Sequence, residues 1–301
     1  MKRLLFFLLM IVFSFRAIYA RDDVLPTESV MLNSGYEMPM RGIDVSGLSP
    51  QQAENAVSLA LSKGFRLIDT AGSKGNEEAV GRGIHKAIAE GIVTREEIFV
   101  SAGVWIEESE TPDEAGDAAV QKTLDALGLD YLDLMIVNQF RFDLDLAAYH
   151  AMERVVEAGK VHSIGLSGFG ESRNYDLVVG QVNILPAVLQ LETHPYLQNQ
   201  DMKRHLSGSG TVIEARNPLG GRDDRAVLFA DPVISVLATW YHKTSDQIIL
   251  RWQLQSGNIF IPEAADEARL DEYYEILDFE LSEAEMAEIN TLDRTLSYVF
   301  Y

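Results

Sequence analysis

The sequence predicts an α/β protein in which eight parallel strands form a (β/α)8 barrel, preceded by a β-hairpin. Amphipathic helices alternate with short apolar strands along most of the chain, and no Pro/Ser-rich linker or low-complexity stretch interrupts the alternation. This order favours right-handed crossovers and a parallel sheet. A doubly wound open sheet is the alternative, but the first strand is not followed by the Gly-rich dinucleotide fingerprint typical of that fold.

The folded part of the chain is predicted to begin with a hairpin over residues 30–38. Two short strand-like runs flank the turn at 33–35, where Asn and Gly tolerate the positive φ of tight turns. A helix then begins after Ser49, because Pro50 suits the first helical position and Gln52 completes a capping box. The same unit, a capped helix leading into an apolar strand, recurs afterwards, so one continuous domain is predicted.

Eight apolar runs are predicted as the barrel strands. Amphipathic patterns and capping residues predict helices between them, for example at 76–90, 111–127 and 146–158. The predicted strands are residues 43–45, 65–69, 98–101, 132–137, 161–166, 187–191, 211–213 and 259–261.

The composition argues against two classes of function. With 46 acidic and 25 basic residues among 301, the formal net charge is -21, which opposes binding to nucleic acid and to anionic lipid. The chain has no Cys, so it forms neither a disulfide nor a thiolate metal site. Its stability has to come from a large hydrophobic core.

Residues 1–20 have the pattern of a signal peptide. Two basic residues precede an apolar run at 4–13, and small residues end the segment at Ala20. A membrane anchor is the alternative, but the run is shorter than the ~18 apolar residues that a spanning helix needs. The sequence thus predicts the secretory pathway, with a secreted or periplasmic/lumenal product, no membrane anchor after signal removal, and a single domain over 21–301.

In a (β/α)8 barrel the reacting groups come from the C-terminal ends of the strands. There Asp69, Glu192 and Glu214 offer paired carboxylates for acid–base catalysis of the glycosidase kind. The alternative is that they only bind backbone or Arg groups at the barrel rim. His194, at another strand end, is interpreted as a structural residue, because no second His or Cys stands at metal-ligand spacing. No metal site is predicted.

Eight motifs of the chain recur in one known family. They are L-N-S-G at 32–35, I-D-T-A at 68–71, G-N-E-E at 75–78, L-G-L-D-Y-L-D-L at 127–134, S-I-G-L-S at 163–167, H-P-Y-L at 194–197, P-L-G at 218–220 and I-L-R-W at 249–252. With them the chain resembles the aldo-keto reductases from residue 31 to about residue 293. The resemblance implies a (β/α)8 barrel with the N-terminal hairpin closing its bottom, and NADPH-dependent carbonyl reduction.

Most catalytic positions of that family are changed in this chain. The family uses a Tyr to protonate the carbonyl oxygen, a Lys held by an Asp to lower the pKa of that Tyr, and a His to orient the substrate. Asp69 is kept, but Lys74 stands at the Tyr position, Gly103 at the Lys position and Asn138 at the His position. The resemblance gives Trp105 a substrate contact. We predict that Lys74 pairs with Asp69 or closely approaches it, as a structural remnant.

The resemblance also implies a nicotinamide-nucleotide site. Ser167 and Gln190 match residues that bind the nicotinamide carboxamide, and Leu219 lies in the matching P-L-G motif. Arg269 and Glu272 match residues at the adenine end. These five are the predicted cofactor-binding residues, for NADPH or NADH. For Arg269 the alternative is a surface residue on an acidic helix.

Other positions of the cofactor site depart from the family. Arg216 replaces the aromatic residue that stacks on the nicotinamide, and Glu263 replaces the Lys that binds the 2'-phosphate of NADPH. Gly168 and Tyr273 replace Asn residues, and Asp44 replaces a Gly. A carboxylate beside a phosphate repels it by about 1 to 4 kcal/mol near a protein surface. NADPH binding is therefore expected to be weak or lost, and NADH is the alternative.

Three functions are compatible with these residues. The first is a catalytically degenerate barrel, a pseudoenzyme acting by binding a small-molecule ligand or a protein partner, because proton-donor and hydride-donor positions are both changed. The second is an active NAD(P)H-dependent oxidoreductase that reduces aldehydes or ketones, in which Lys74, positioned by Asp69, donates the proton to a substrate packed on Trp105. The third is a hydrolase that uses Glu192 and Glu214.

Overall fold

The computed structural model describes residues 29–70, 75–104, 112–138, 142–221 and 225–295. Its main sheet has eight parallel strands, each hydrogen-bonded to the next along the chain. Parallel bridges between residues 41 and 260 and between residues 44 and 263 join the two edges, which gives a nearly closed (β/α)8 barrel, as predicted. The strands are β3 Gly42–Asp44, β4 Leu67–Thr70, β5 Phe99–Val104, β6 Leu132–Asn138, β7 Val161–Ser167, β8 Val188–Glu192, β9 Val212–Arg216 and β10 Ile259–Phe260.

Helices between the strands cover the outside of the barrel. In the first helix Ala53, Val57 and Leu61 form a buried face, and the predicted capping box is present, since Gln52 accepts a hydrogen bond from the Ser49 amide. A 3-10 helix covers Arg95–Glu97. The α-helices are α1 Pro50–Ser62, α2 Glu77–Ala89, α3 Pro112–Leu127, α4 Phe142–Glu157, α5 Ser172–Val179, α6 Gln200–Leu206, α7 Arg225–Phe229, α8 Pro232–Tyr241, α9 Ser245–Gln255, α10 Glu267–Tyr274 and α11 Glu283–Asn290.

An antiparallel hairpin precedes the barrel, as predicted. Its strands are β1 Ser29–Met31 and β2 Glu37–Pro39, with Val30 opposite Met38. The buried Leu32 and Met38 pack against apolar side chains near the beginnings of the barrel strands, which closes the bottom of the barrel. Those side chains include Leu67, Phe99, Leu134, Val188 and Ile259.

The predicted element boundaries differ from the structure mainly where charged residues lie inside an element. β9 continues to Arg216, past the predicted end at residue 213, because Glu214 and Arg216 lie in the strand although they interrupt its apolar run. α4 begins at residue 142 instead of 146, and acidic residues in its first turn favour the helix N-terminus. Apolar patterns do not detect either extension.

A buried ion pair connects β5 and β6 near the bottom of the barrel. Asp133 Oδ2 accepts hydrogen bonds of 2.8 Å from the Val100 amide and from Arg95 Nη2. Arg95 also donates to the Tyr131 carbonyl oxygen and lies over the Tyr131 ring. The Asp133 carboxylate therefore holds both a strand amide and an otherwise exposed cation in place.

The variant Asp133→Ala is expected to lower the free energy of unfolding by about 3 kcal/mol, because removing one partner of a largely buried ion pair leaves the other uncompensated. Urea unfolding of the purified protein measures it. Asp130→Ala, at an exposed position three residues earlier, is the control and is expected to change stability by less than about 0.5 kcal/mol. Equal effects of the two variants would contradict this role of Asp133.

The sequence predicts a signal peptide at the N-terminus and no membrane anchor after its removal. Among the described residues, no helix combines the length and apolar character that crossing a membrane requires. The predicted signal peptide, residues 1–20, lies outside the described residues and stays a prediction.

Candidate functional site

Polar side chains share one layer at the C-terminal end of the barrel. Asp44 at the end of β3 is the register partner of Asp69 in β4, which is the register partner of Ser101 in β5. Asp69 and Ser101 are buried, whereas Asp44 is partly exposed. Register partners on parallel strands lie side by side, so two carboxylates are neighbours at this mouth.

The family's catalytic Asp, Tyr, Lys and His form a tetrad. Asp69 is the member of this tetrad that the chain keeps, and Ser101 provides it with a hydroxyl partner. Ser101 Oγ donates a hydrogen bond to Asp69 Oδ1. Burial raises the pKa of Asp69 well above its ordinary value, and the negative charges of Glu214 and Asp44 raise it further. Asp69 therefore tends to keep its proton, although the Ser101 hydrogen bond and Arg216 oppose this.

A hydrogen-bonded chain crosses β7, β8 and β9 at the same level. Ser167 Oγ donates to Gln190 Oε1 at 3.0 Å, and Gln190 Nε2 donates to Glu214 Oε1 at 2.7 Å. The structure thus brings together the two predicted nicotinamide-carboxamide residues and links them to a carboxyl group. Glu214 is fully buried, and its second oxygen, Oε2, has no hydrogen-bond partner among the residues that the structure describes.

Burial and the neighbouring charges determine the pKa of Glu214. Burial raises the pKa of Glu214 from 4.5 to about 7, and the charge of Asp44 adds to this, whereas the Gln190 hydrogen bond and Arg216 lower it. Burial likewise raises the pKa of Asp44, against hydrogen bonds from Ser46. We call Asp44, Asp69 and Glu214 the carboxylate cluster. It combines acids from three strands with one nearby guanidinium, Arg216.

The carboxylate cluster differs from the grouping expected from the strand ends, because Asp44 joins Asp69 and Glu214. Glu192 lies at the end of β8, and its Oε1 lies 3.3 Å from His194 Nε2. His194 is fully buried and accepts from the Tyr196 amide through Nδ1, which supports its structural interpretation. The third acid near Asp69 and Glu214 is Asp44, whose position at the end of the first strand was the available sequence signal.

The remaining tetrad positions differ in what the structure describes. Asn138 is buried at the end of β6, and its Nδ2 donates to the Val104 carbonyl oxygen at 3.1 Å. Gly103 lies in β5, in register with Ile136. Lys74 and Trp105 lie outside the described residues, so the Asp69–Lys74 pair and the substrate contact of Trp105 stay predictions.

The predicted adenine-end residues form an ionic group of their own. Arg269 Nη1 lies 2.7 Å from Asp246 Oδ1 and 3.3 Å from Glu272 Oε2. Arg225 of α7 pairs with the same Asp246 oxygen. Leu219 is buried in the main hydrophobic core. Sequence reasoning missed Arg225 and Asp246, because neither belongs to a matching motif.

A cavity of about 550 Å³ opens at the bottom of the barrel, at the end opposite to the carboxylate cluster. Tyr36 of the hairpin stacks on His162 there, with ring centroids 4.2 Å apart, and Tyr131 stacks on the other side of His162 at 4.4 Å. Asp133 also lines the cavity. This cavity lies beside the hairpin and does not include the carboxylate cluster.

The barrel with polar groups at the strand ends is an architecture in which enzymes place their active sites. Comparison with known proteins identifies the family. The sequence model of the Aldo/keto reductase family matches residues 40–294. An aldo-keto reductase of Mycobacterium sp. (strain JLS) is 35% identical over 266 residues, covering 88% of this chain and 92% of that protein. This chain belongs to the aldo/keto reductase family.

Solved structures agree with that assignment. An aldo-keto reductase enzyme from a Medee basin deep-sea metagenome library has a TM-score of 0.84 at 33% identity, covering 90% of this chain and 97% of that one. The Bombyx mori aldo-keto reductase in complex with NADP has a TM-score of 0.82 at 29% identity, covering 90% and 94%. The predicted family and barrel fold are confirmed.

The variant Glu214→Gln is expected to stabilise the protein at neutral and higher pH. Because the pKa of Glu214 in the folded chain, about 7, exceeds its ordinary value of 4.5, the folded state binds the proton more tightly than the unfolded state. Stability from this group is present below about pH 4.5 and is lost as pH rises towards 7. The stability advantage of Glu214→Gln should therefore grow by on the order of 2–3 kcal/mol between pH 5 and pH 8.

Urea unfolding of both proteins at several pH values measures this difference. Glu288→Gln, an exposed glutamate on α11, makes the same charge change away from the barrel and is expected to show no such trend. A stability difference between Glu214→Gln and the unchanged protein that does not vary with pH would refute the raised pKa of Glu214.

Proposed function

We propose that this chain is an aldo-keto reductase barrel that no longer reduces carbonyls by the family's mechanism and acts by binding a small-molecule ligand at the barrel mouth. The observation that carries the proposal is the carboxylate cluster, Asp44, Asp69 and Glu214. Burying ionisable groups is costly, so a set of carboxyls with raised pKa values at the strand ends favours a binding role over simple loss of function.

The replaced tetrad supports the loss of carbonyl reduction. Asp69 accepts a hydrogen bond from Ser101. Gly103, at the position of the family's Lys, has no positive charge to pair with Asp69. Asn138 has an amide in place of an imidazole, and its nitrogen already donates to the Val104 carbonyl oxygen. The family mechanism needs an ionic partner for Asp69 and a substrate-orienting donor, and these three residues supply neither.

The cofactor positions support weak nucleotide binding. Membership of the family and the NADP-bound Bombyx mori relative favour an NADP(H) site at this mouth. In this chain, however, the Gln190 amide nitrogen donates its hydrogen bond to the buried carboxyl of Glu214. Arg269 is shared between Asp246 and Glu272, and the exposed Glu263 would repel a 2'-phosphate. We therefore propose that NADPH binds weakly, and NADH less weakly.

The predicted signal peptide fits a ligand-binding role. Reduced nicotinamide cofactors are not expected outside the cell, so an exported barrel gains little from a reductase site. We propose that the mature chain, from about residue 21, works in a secreted or lumenal compartment on a small molecule.

Nucleotide titration tests the proposed function. Tryptophan fluorescence is expected to show no saturable quenching by micromolar NADPH. Glu263 repels the 2'-phosphate, and Arg216 replaces the aromatic residue that would stack on the nicotinamide ring. Replacing both, as Arg216→Tyr with Glu263→Lys, should tighten NADPH binding by about tenfold or more. Glu288→Lys makes the same charge change as Glu263→Lys, but on α11, and is the control. Saturable micromolar binding by the unchanged protein, together with aldehyde reduction, would contradict the proposal.

A second candidate is an active oxidoreductase whose proton donor is a carboxyl. The pKa of Glu214, raised by burial to about 7, suits a general acid at neutral pH. Glu214 also lies one hydrogen bond from Gln190, which the resemblance places at the nicotinamide. A bound dinucleotide would supply hydride, and Glu214 or Asp69 would hold the proton for the substrate oxygen.

Aldehyde reduction in the presence of NADPH or NADH separates the candidates. The second candidate predicts turnover that Glu214→Gln lowers by at least about 100-fold, the usual contribution of a general acid. If Lys74 is the donor instead, Lys74→Met abolishes turnover and Glu214→Gln does not. The proposed binding role predicts no turnover in any of the three proteins.

A further inference from the structure

Acidic side chains outnumber basic ones at the described strand ends of the barrel mouth. Asp44 on β3, Asp69 on β4 and Glu214 on β9 face one another, as their mutual electrostatic effects show. Arg216 on β9 is the nearby cation, and Glu263, the bridge partner of Asp44 after β10, adds a further carboxylate at the rim. Ser101 on β5 and Gln190 on β8 contribute neutral donors.

One oxygen in this cluster is unsatisfied. Among the described residues, none hydrogen-bonds to Glu214 Oε2, which is fully buried. The Gln190 amide nitrogen donates to Oε1 of the same carboxyl and the Gln190 oxygen accepts from Ser167, so these two hydrogen bonds do not reach Oε2. A buried acceptor without a donor is unfavourable, so a donor brought by a ligand would be stabilised here.

We propose that the barrel mouth binds the positively charged nitrogen of an organic cation, an ammonium group that donates to Glu214 Oε2 and lies between Glu214 and Asp69. This deepens the proposed ligand-binding function and rests on it. The chemistry matches because an ammonium group carries several N–H donors and no acceptor, and charge-assisted hydrogen bonds to carboxylates are strong in a buried site.

Other ligand classes fit the cluster less well. An anion would face the three carboxyl groups, beside which Arg216 is the cation among the described residues. A neutral alcohol would donate to Glu214 Oε2 but would not stabilise the ionised form of the carboxyls. Across the described parts of the chain, no three His, Cys, Asp or Glu side chains stand close enough together to hold a metal ion. A singly charged organic cation supplies both the missing donor and the missing charge.

Cation binding is coupled to proton release. In the empty site burial favours protonated Asp69 and Glu214, as the raised pKa of each shows. A bound ammonium group favours the ionised forms, so a proton leaves as the cation enters. Arg216 and the Ser101 and Gln190 hydrogen bonds help ionisation, whereas Asp44 opposes it. Affinity is therefore expected to rise between pH 6 and pH 7 by up to about tenfold for each proton released.

Isothermal titration calorimetry with benzylamine and ethylamine tests the proposal, and benzyl alcohol serves as the neutral probe of matching shape. At least one amine is expected to bind saturably and benzyl alcohol at least tenfold more weakly. Titration in phosphate and in Tris, which differ in ionisation enthalpy, should reveal released protons. Glu214→Gln keeps the acceptor for Gln190 and is expected to weaken amine binding at least tenfold, whereas Glu288→Gln is expected to leave it unchanged.

The proposal is overturned if neither amine binds the unchanged protein, if benzyl alcohol binds as tightly, or if Glu214→Gln binds the amine as before. Asp69→Asn, checked by circular dichroism, is the second variant should Glu214→Gln fail to fold, with the same expected loss. Tight NADPH binding with carbonyl reduction would overturn the proposed function instead. Absence of amine binding in a protein that also lacks nucleotide binding would overturn only the cation site.

Discussion

The mouth of this barrel depends on the electrostatic balance among buried carboxyls and a single guanidinium. Asp69 and Glu214 are held in low-dielectric surroundings, where each raises the free energy of the other's charged form. Arg216 and the hydrogen bonds from Ser101 and Gln190 offset part of that cost. The barrel tolerates the rest because its strands fix the side chains in one layer, and a rigid scaffold can hold unfavourable charges close together.

The two ends of the barrel have different roles. At the bottom, apolar side chains of the hairpin pack under the strands, and Asp133 is satisfied by Arg95 and the Val100 amide. At the top, an oxygen of Glu214 has no hydrogen-bond partner among the described residues. This division follows the usual arrangement of (β/α)8 barrels, in which the N-terminal face supplies stability and the C-terminal face supplies function. Membership of the aldo/keto reductase family accounts for the scaffold.

Much of the fold could be predicted from the sequence, because helix caps and apolar runs are local signals. All eight predicted strands and the predicted hairpin are present. The resemblance to the family predicted that the hairpin closes the bottom of the barrel. The carboxylate cluster could not be predicted as a unit. Asp44, Asp69 and Glu214 are far apart in sequence. Strand register places Asp44 beside Asp69, and the near closure of the barrel brings Glu214 of β9 towards them. The sequence groups Glu214 with Glu192, because sequence spacing does not show that Glu192 lies beside His194. The raised pKa values of Asp44, Asp69 and Glu214 depend on burial, which local patterns do not report.

We propose that Glu214 is a buried carboxyl that keeps its proton to neutral pH, and the binding role proposed for the barrel mouth rests on it. Carbon-13 NMR of the side-chain carboxyl groups, followed from pH 3 to pH 9, tests it most directly. The account predicts one glutamate signal that titrates near pH 7 and disappears in Glu214→Gln. If every glutamate carboxyl titrates near the ordinary value of about 4.3, the account is contradicted.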